Sequence, residues 1–284
     1  MKETKSPDVT EFHVSEFEII SKQSMISHFR ELWHYRELLY FLIWRNIKIK
    51  YKQSLLGIAW ALLQPLLSMG VMSFVFWHLA KMPSEGIPYP LFVLCGLVLW
   101  SCFSGSINSG TQSLIQNSSL ITKVYFPRML IPMATVGQYV VDFSIALILF
   151  FVVRAGYGIS FSWNLLWAPF FIFLLLFLTL GVSLWTSAIS VKYRDLPHTI
   201  PFMVQVWFWV SPVAYGIQVI PEHWRSYFYL NPLSMIMEGF RFACLSTSFS
   251  GAPKTFLCVG CIVVIFLSGV WFFEKTEREF ADLI

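Results

Sequence analysis

Asp142 is the first residue to weigh as chemistry, because it is the sole acidic side chain inside a strongly apolar run of this 284-residue chain. An ionisable group in a membrane segment can relay protons or ions. One carboxylate is thin support for ion coupling, so a packing role is favoured, hydrogen-bonded to partners such as Gln138 or Ser144 neighbours. Glu238 and Arg241, three apart, can pair on a short helix and brace it. Five cysteines are present, and Cys258 and Cys261 form a lone CxxC within an apolar run, with no second pair at zinc spacing. Small apolar side chains in helices account for them better than metal or redox chemistry. The six histidines (His13, His28, His34, His78, His198 and His223) are scattered, as interfacial or hydrogen-bonded residues are. No GxxxxGK[ST], HExxH or GxSxG motif occurs, so the chain does not itself bind ATP in the P-loop manner. Energy for any work is expected from outside the chain.

The elements that must position these residues are set by hydrophobicity. The chain is 56% hydrophobic and 13% charged, against about 25% charged in soluble domains. From Ala155 to Val191 there is no Lys, Arg, Asp or Glu. A helix of roughly 20 apolar residues crosses a bilayer core, so this run spans with residues to spare. The whole chain reads as an all-α integral membrane protein with six spans: Leu55–Leu79, Leu91–Leu114, Met133–Val153, Trp163–Ser190, Thr199–Ile220 and Phe256–Phe273. Together they make one transmembrane domain over residues 55–273.

Residues 1–27 form a polar lead. Residues 28–54 combine an amphipathic helix with a basic linker. From His28 to Ile47, apolar residues including Trp33, Tyr40 and Trp44 recur at spacings of three and four, with Arg36 and Arg45 among them. Such a helix lies at a membrane surface, where Trp and Tyr suit the headgroup layer; packing on a soluble partner is the alternative. Between spans five and six, Pro221–Thr255 is too apolar for a free loop and too interrupted for a span. It reads as a re-entrant helical segment broken at Asn231-Pro232, or else as an extracytoplasmic cap. Residues 274–284 form a charged tail. No cleavable signal peptide is visible. With both termini in the cytoplasm, fifteen of the 20 Lys and Arg fall inside and five outside, as the positive-inside rule requires. The net charge of +4 is then orienting charge, and no nucleic-acid partner is expected.

Four motifs in order resemble ABC-2 type export permeases, closest to those for bacterial O-antigen, capsular polysaccharide and teichoic acid. The first runs from Arg36-Glu37-Leu38-Leu39 through Trp44-Arg45-Asn46-Ile47-Lys48 and Tyr51-Lys52-Gln53-Ser54 to Gln64-Pro65. The others are Asn117–Arg128, Tyr193-Arg194-Asp195-Leu196 and Leu230-Asn231-Pro232-Leu233. The resemblance covers about Arg30 to the tail, and is less specific about which glycan is moved.

The resemblance implies the transmembrane subunit of an exporter of lipid-linked polysaccharide in a bacterial inner membrane. It implies a second copy of the chain and two copies of a separate ATPase, which holds ATP and Mg; no cofactor is expected on this chain. The loop after span two is implied to be a coupling helix, with Lys123, Tyr125, Phe126, Pro127 and Arg128 as ATPase contacts. Tyr193, Arg194 and Asp195 are a weaker contact. A short helix with an aromatic pair and two cations can dock into a cleft and pass on a rigid-body push. A glycan channel between the two copies is also implied. Aromatic faces stack on the C–H faces of sugars, which makes Phe74, Trp77, Trp100, Phe103, Trp207, Trp209 and Tyr215 candidate linings; lipid-facing belts are the alternative. The polar end of span two, Ser104 to Gln112, is a second candidate surface.

Overall fold

The computed structural model describes residues 32–52, 57, 59–249, 251, 254–277 and 280. The expected polar lead at 1–27 lies outside the described residues. Every regular element among the described residues is helical. In chain order these are α1 (Arg36–Lys52), α2 (Ala59–Met72) prolonged by a π-helical stretch Ser73–Leu79, α3 (Tyr89–Gln116), α4 (Ser118–Lys123) and α5 (Leu130–Gly156). They continue with α6 (Ala168–Lys192) after a 3₁₀ turn Trp163–Trp167, α7 (Leu196–Val210), α8 (Glu222–Phe228), α9 (Pro232–Leu245) and α10 (Thr255–Glu277). Among the described residues five helices are long and apolar enough to cross a membrane: α2 with its extension, α3, α5, α6 with its leading turn, and α10.

The expected fifth span, Thr199–Ile220, is not one helix. α7 stops at Val210, where Ser211 turns extended (φ −96°, ψ 143°) ahead of Pro212. The residue before a proline is pushed away from helical geometry, which explains the stop. At about 1.5 Å per residue, 15 residues cover roughly 22 Å, short of a hydrocarbon core of about 30 Å. The expected basic linker is also corrected in part: Lys48, Lys50 and Lys52 belong to α1. No Gly or Pro interrupts that stretch, and cations suit a helix C-terminus. The break at Asn231-Pro232 separates α8 from α9. Pro232 opens α9, where its missing N–H costs nothing, and Asn231 Oδ1 accepts from the Leu233 amide at 3.1 Å.

α3 is the central post. Seventy-two per cent of its apolar window is buried, against 6% for α2, which stands at the periphery with Phe74 and Trp77 exposed. Around α3 pack α5, α6 and the almost wholly buried α9 in one core, with residues such as Leu94, Leu99, Leu178 and Phe240. A second core gathers at the ends of α3 and α6 that bear the Asn117–Arg128 and Tyr193–Asp195 loops. It joins Leu42 of α1, Leu114 of α3, Ala188 of α6 and Phe273 of α10.

Contact between α6 and α10 depends on two facing glycines. A Cβ on Gly181 would lie 2.8 Å from Phe266 Cα, and one on Gly269 would lie 2.6 Å from the Gly181 carbonyl oxygen. Both obstacles are backbone, which cannot step aside, and small residues are what allow membrane helices this approach. Gly181→Val is therefore expected to cost about 1–3 kcal/mol through overpacking. A lower melting temperature of the detergent-solubilised protein checks it; an unchanged one means the helices can separate freely.

Candidate functional site

Two places carry the chemistry. The first is the loop between α3 and α5. α4 follows α3 after one residue, Asn117, which fixes the corner: its Nδ2 donates to the Ser113 carbonyl at 2.7 Å, and its Oδ1 accepts from Arg45 Nη2 of α1 at 2.6 Å. Ile121 and Phe126 turn into the second core, Phe126 being 5% exposed beside Met129, while Tyr125 is 90% exposed. Arg128 is tied to the end of α10. Its backbone N–H donates to Glu277 Oε1 at 2.9 Å and its Nη1 donates to the Glu277 carbonyl at 2.7 Å.

The expected contact set is thereby split. Lys123 and Tyr125 point outward, Pro127 is half-buried, and Arg128 is committed to α10. Phe126 is a correction: a surface contact was expected, but its ring anchors the loop because the core under α4 offers an apolar hole. Tyr193, Arg194 and Asp195 are exposed at the break between α6 and α7. That break follows Val191, which belongs to the same second core as Phe126. Both loops thus stand on one foundation.

The second place is a cavity of roughly 600 Å³ between the end of α1, α2, α3, α5 and α7. Small-molecule sites run about 300–1,000 Å³. Its wall mixes Gln64, Ser68, Ser101, Ser104 and Asn108 with the rings of Trp60, Trp100, Tyr139 and Phe208. Asp142 of α5 stands in it, held by Lys50 Nζ at 2.5 Å and by the Tyr51 hydroxyl at 2.5 Å, both from α1. Burial, together with the Asp142 carboxylate, pushes the Tyr51 phenol above its ordinary range, so it stays a donor. Lys50 Nζ also lies 4.6 Å from the Tyr139 ring centroid, and the Tyr139 hydroxyl bonds Ser109 at 2.7 Å.

Asp142 therefore packs, as favoured from the sequence, but onto α1 instead of Gln138 or Ser144 neighbours. Ser144 bonds its own helix, at the Val140 carbonyl. Lys50, Tyr51 and Tyr139 were missed. Lys50 sits in a run of alternating lysines that reads equally well as orienting charge, and nothing local marks it. Of the expected interfacial set, Trp33, Arg36, Tyr40 and Trp44 are exposed, while Arg45 turns in to Asn117.

The expected channel residues scatter. Trp100 reaches the cavity. Phe103 does not: it is fully buried edge-on against Trp207 at 5.0 Å, a correction that follows from its place on the inner face of α3. Trp207 Nε1 donates to Asn231 at 3.1 Å, which ties α7 to the start of α9. Trp209 is exposed, and the half-buried Tyr215 donates to the Trp209 carbonyl at 2.9 Å. Phe74 and Trp77 are exposed and are not among the residues lining this cavity. Tyr229 donates to Glu238 Oε1, and Arg241 donates to the carbonyls of Val213 and Tyr215.

The sequence over residues 37–245, which holds both places, matches the model of the family described as ABC-2 type transporter. The chain belongs to the ABC-2 type transporter family. It is 31% identical over 263 residues to the O-antigen export system permease protein RfbA of Myxococcus xanthus, covering 92% of this chain and all of that one. A protein of the same name from Klebsiella pneumoniae is 26% identical over 84% of this chain and 92% of its own. The polysialic acid transport protein KpsM of Escherichia coli is 23% identical over 78% of this chain and 87% of its own. This ABC-2 chain is thus similar over 92% of its length to a protein named as an O-antigen export permease.

Proposed function

We propose that this ABC-2 chain is the transmembrane subunit of an ATP-driven exporter that carries a lipid-linked cell-surface polysaccharide across a bacterial inner membrane. The observation that carries the proposal is a polar, aromatic-walled cavity among membrane-length helices, in a chain similar throughout to an O-antigen export permease. Polar side chains inside a membrane domain mark a substrate path by default. Two copies of the chain work with two copies of a separate ATPase, which holds ATP and Mg.

In this arrangement both termini are cytoplasmic, and α7 with the Ser211–Ile220 turn completes a sixth crossing. α8 and α9 dip into the membrane from the far side and return. α1 and the turn that precedes it lie at the membrane surface with Trp33, Tyr40 and Trp44 outward. The exposed Lys123 and Tyr125, with Tyr193–Asp195, meet the ATPase. ATP binding there shifts the permease between closed and open states through contacts that differ between them.

The test is reconstitution of the chain with its cognate ATPase in liposomes loaded with lipid-linked glycan. Glycan is expected to reach the far leaflet only with ATP and both subunits present. Uphill movement by this chain without the ATPase ends the proposal. ATP-driven extrusion of a small hydrophobic dye with no glycan movement replaces it with a drug-export function.

A further inference from the structure

We infer that the cavity around Asp142 is a binding niche for a neutral sugar ring of the exported glycan; this rests on the exporter function proposed above. Charge decides the class of ligand. Among the described residues, Lys50 and Asp142 are the only charged ones lining the cavity, and they neutralise each other at 2.5 Å. A phosphate or a uronic acid entering here would find its one cation already paired and a carboxylate beside it. The Asp142 side chain is only 15% exposed, so an anion beside it meets a carboxylate less screened than one in open water. A neutral polyol meets no such conflict.

The remaining lining matches a sugar on both its faces. Hydroxyl edges need donors and acceptors in several directions, and Gln64, Ser68, Ser101 and Ser104 offer them from two helices. Asp142 has a carboxylate with capacity beyond its two bonds to Lys50 and Tyr51, since two oxygens offer about four lone-pair sites. Apolar C–H faces need flat rings, and Trp60 and Trp100 stand in the wall. The volume of roughly 600 Å³ has room for a sugar ring with its bound water. α2, the least buried of the membrane-length helices, forms one side of the niche through Trp60, Gln64 and Ser68. Lys50 and Tyr51 fix the floor by fastening α1 to α5. A proton site is the poorer fit, because the described lining holds no second carboxyl and no histidine beside Asp142.

The experiment uses the permease–ATPase complex in phospholipid nanodiscs, with Cys261, the exposed native cysteine, changed to Ser. Ser104→Cys and, separately, Ser101→Cys report on the cavity through their labelling rate with a small water-soluble thiosulfonate. The probes are polyprenyl diphosphate carrying a neutral disaccharide, the same carrier with a uronic acid in place of one sugar, and the bare carrier. The neutral-sugar probe is expected to slow labelling about tenfold, with little effect of the other two. Equal protection by the bare carrier overturns the inference in favour of a lipid-carrier site, and better protection by the uronic acid overturns the neutral class. Absence of protection by every probe, or of labelling at both positions, overturns the niche itself. Glycan transport by the same complex separates the two proposals: transport without protection leaves the exporter standing and removes only the niche.

Discussion

Tyr125→Ala is expected to leave the permease folded and membrane-inserted while lowering ATP-dependent export and permease-stimulated ATP turnover roughly 10- to 30-fold. The side chain is 90% exposed on a loop fixed before it by Ile121 and after it by Phe126, both in the second core, and by Arg128 on the end of α10. Removing it therefore costs the fold almost nothing. An aromatic anchor at a protein interface, however, can contribute about 2 kcal/mol or more when truncated, and each 1.4 kcal/mol is about tenfold. The neighbouring substitution should do the reverse. Phe126→Ala empties a buried ring site, which costs about 3–5 kcal/mol, so it should lower the melting temperature and the yield of protein. Paired measurements of melting temperature and ATP turnover on the two variants check the contrast. Full export by Tyr125→Ala would remove this residue from the coupling surface.

Arg241→Met should be the most damaging single change in the half of the protein away from the loops. The guanidinium lies 3.8 Å from the Phe92 ring centroid. Nη2 donates to the Val213 carbonyl at 2.6 Å and Nη1 to the Tyr215 carbonyl at 3.3 Å. One side chain of α9 thus closes the turn after α7 onto α3. Gly96 makes the space, since a Cβ there would come 2.9 Å from Nη2 and 2.5 Å from the Val213 oxygen. Met fills similar volume but strands two carbonyls, at about 1–3 kcal/mol each where they are buried. Arg241→Lys should recover only part of the loss, because a compact ammonium cannot span both carbonyls and lie flat on a ring. Thermal unfolding in detergent, ranking wild type above Lys above Met, is the expected result. A Met variant as stable as wild type would show that the turn is held by something else.

Much of the architecture was legible because hydrophobic length is a local property. The runs that became α3, α6 and α10 announce themselves through the absence of charge over a bilayer's thickness, and that of α5 through a single charge, Asp142, in an otherwise apolar run; the ends moved by only a few residues. The break between α8 and α9 was equally legible, since Asn231 and Pro232 act on their own backbone. The end of α7 was not anticipated, although Pro212 was in view: an apolar stretch hides a turn when its average hydropathy stays high. The two halves of the loop, Tyr125 and Phe126, look alike in the sequence and have opposite fates. Only the position of Leu42, Leu114 and Phe273 beneath the loop separates them.

The sequence by itself determined a helical membrane protein, its motifs in order, and the presence of one acidic residue within an apolar run, because these follow from composition and short-range spacing. The tertiary structure decided which residues Asp142 meets. Lys50 and Tyr51 precede it by about ninety positions, and only the packing of α1 along α5 brings them together. A pairing across that separation leaves no periodic trace along the chain, so the cavity it closes could be found only in three dimensions.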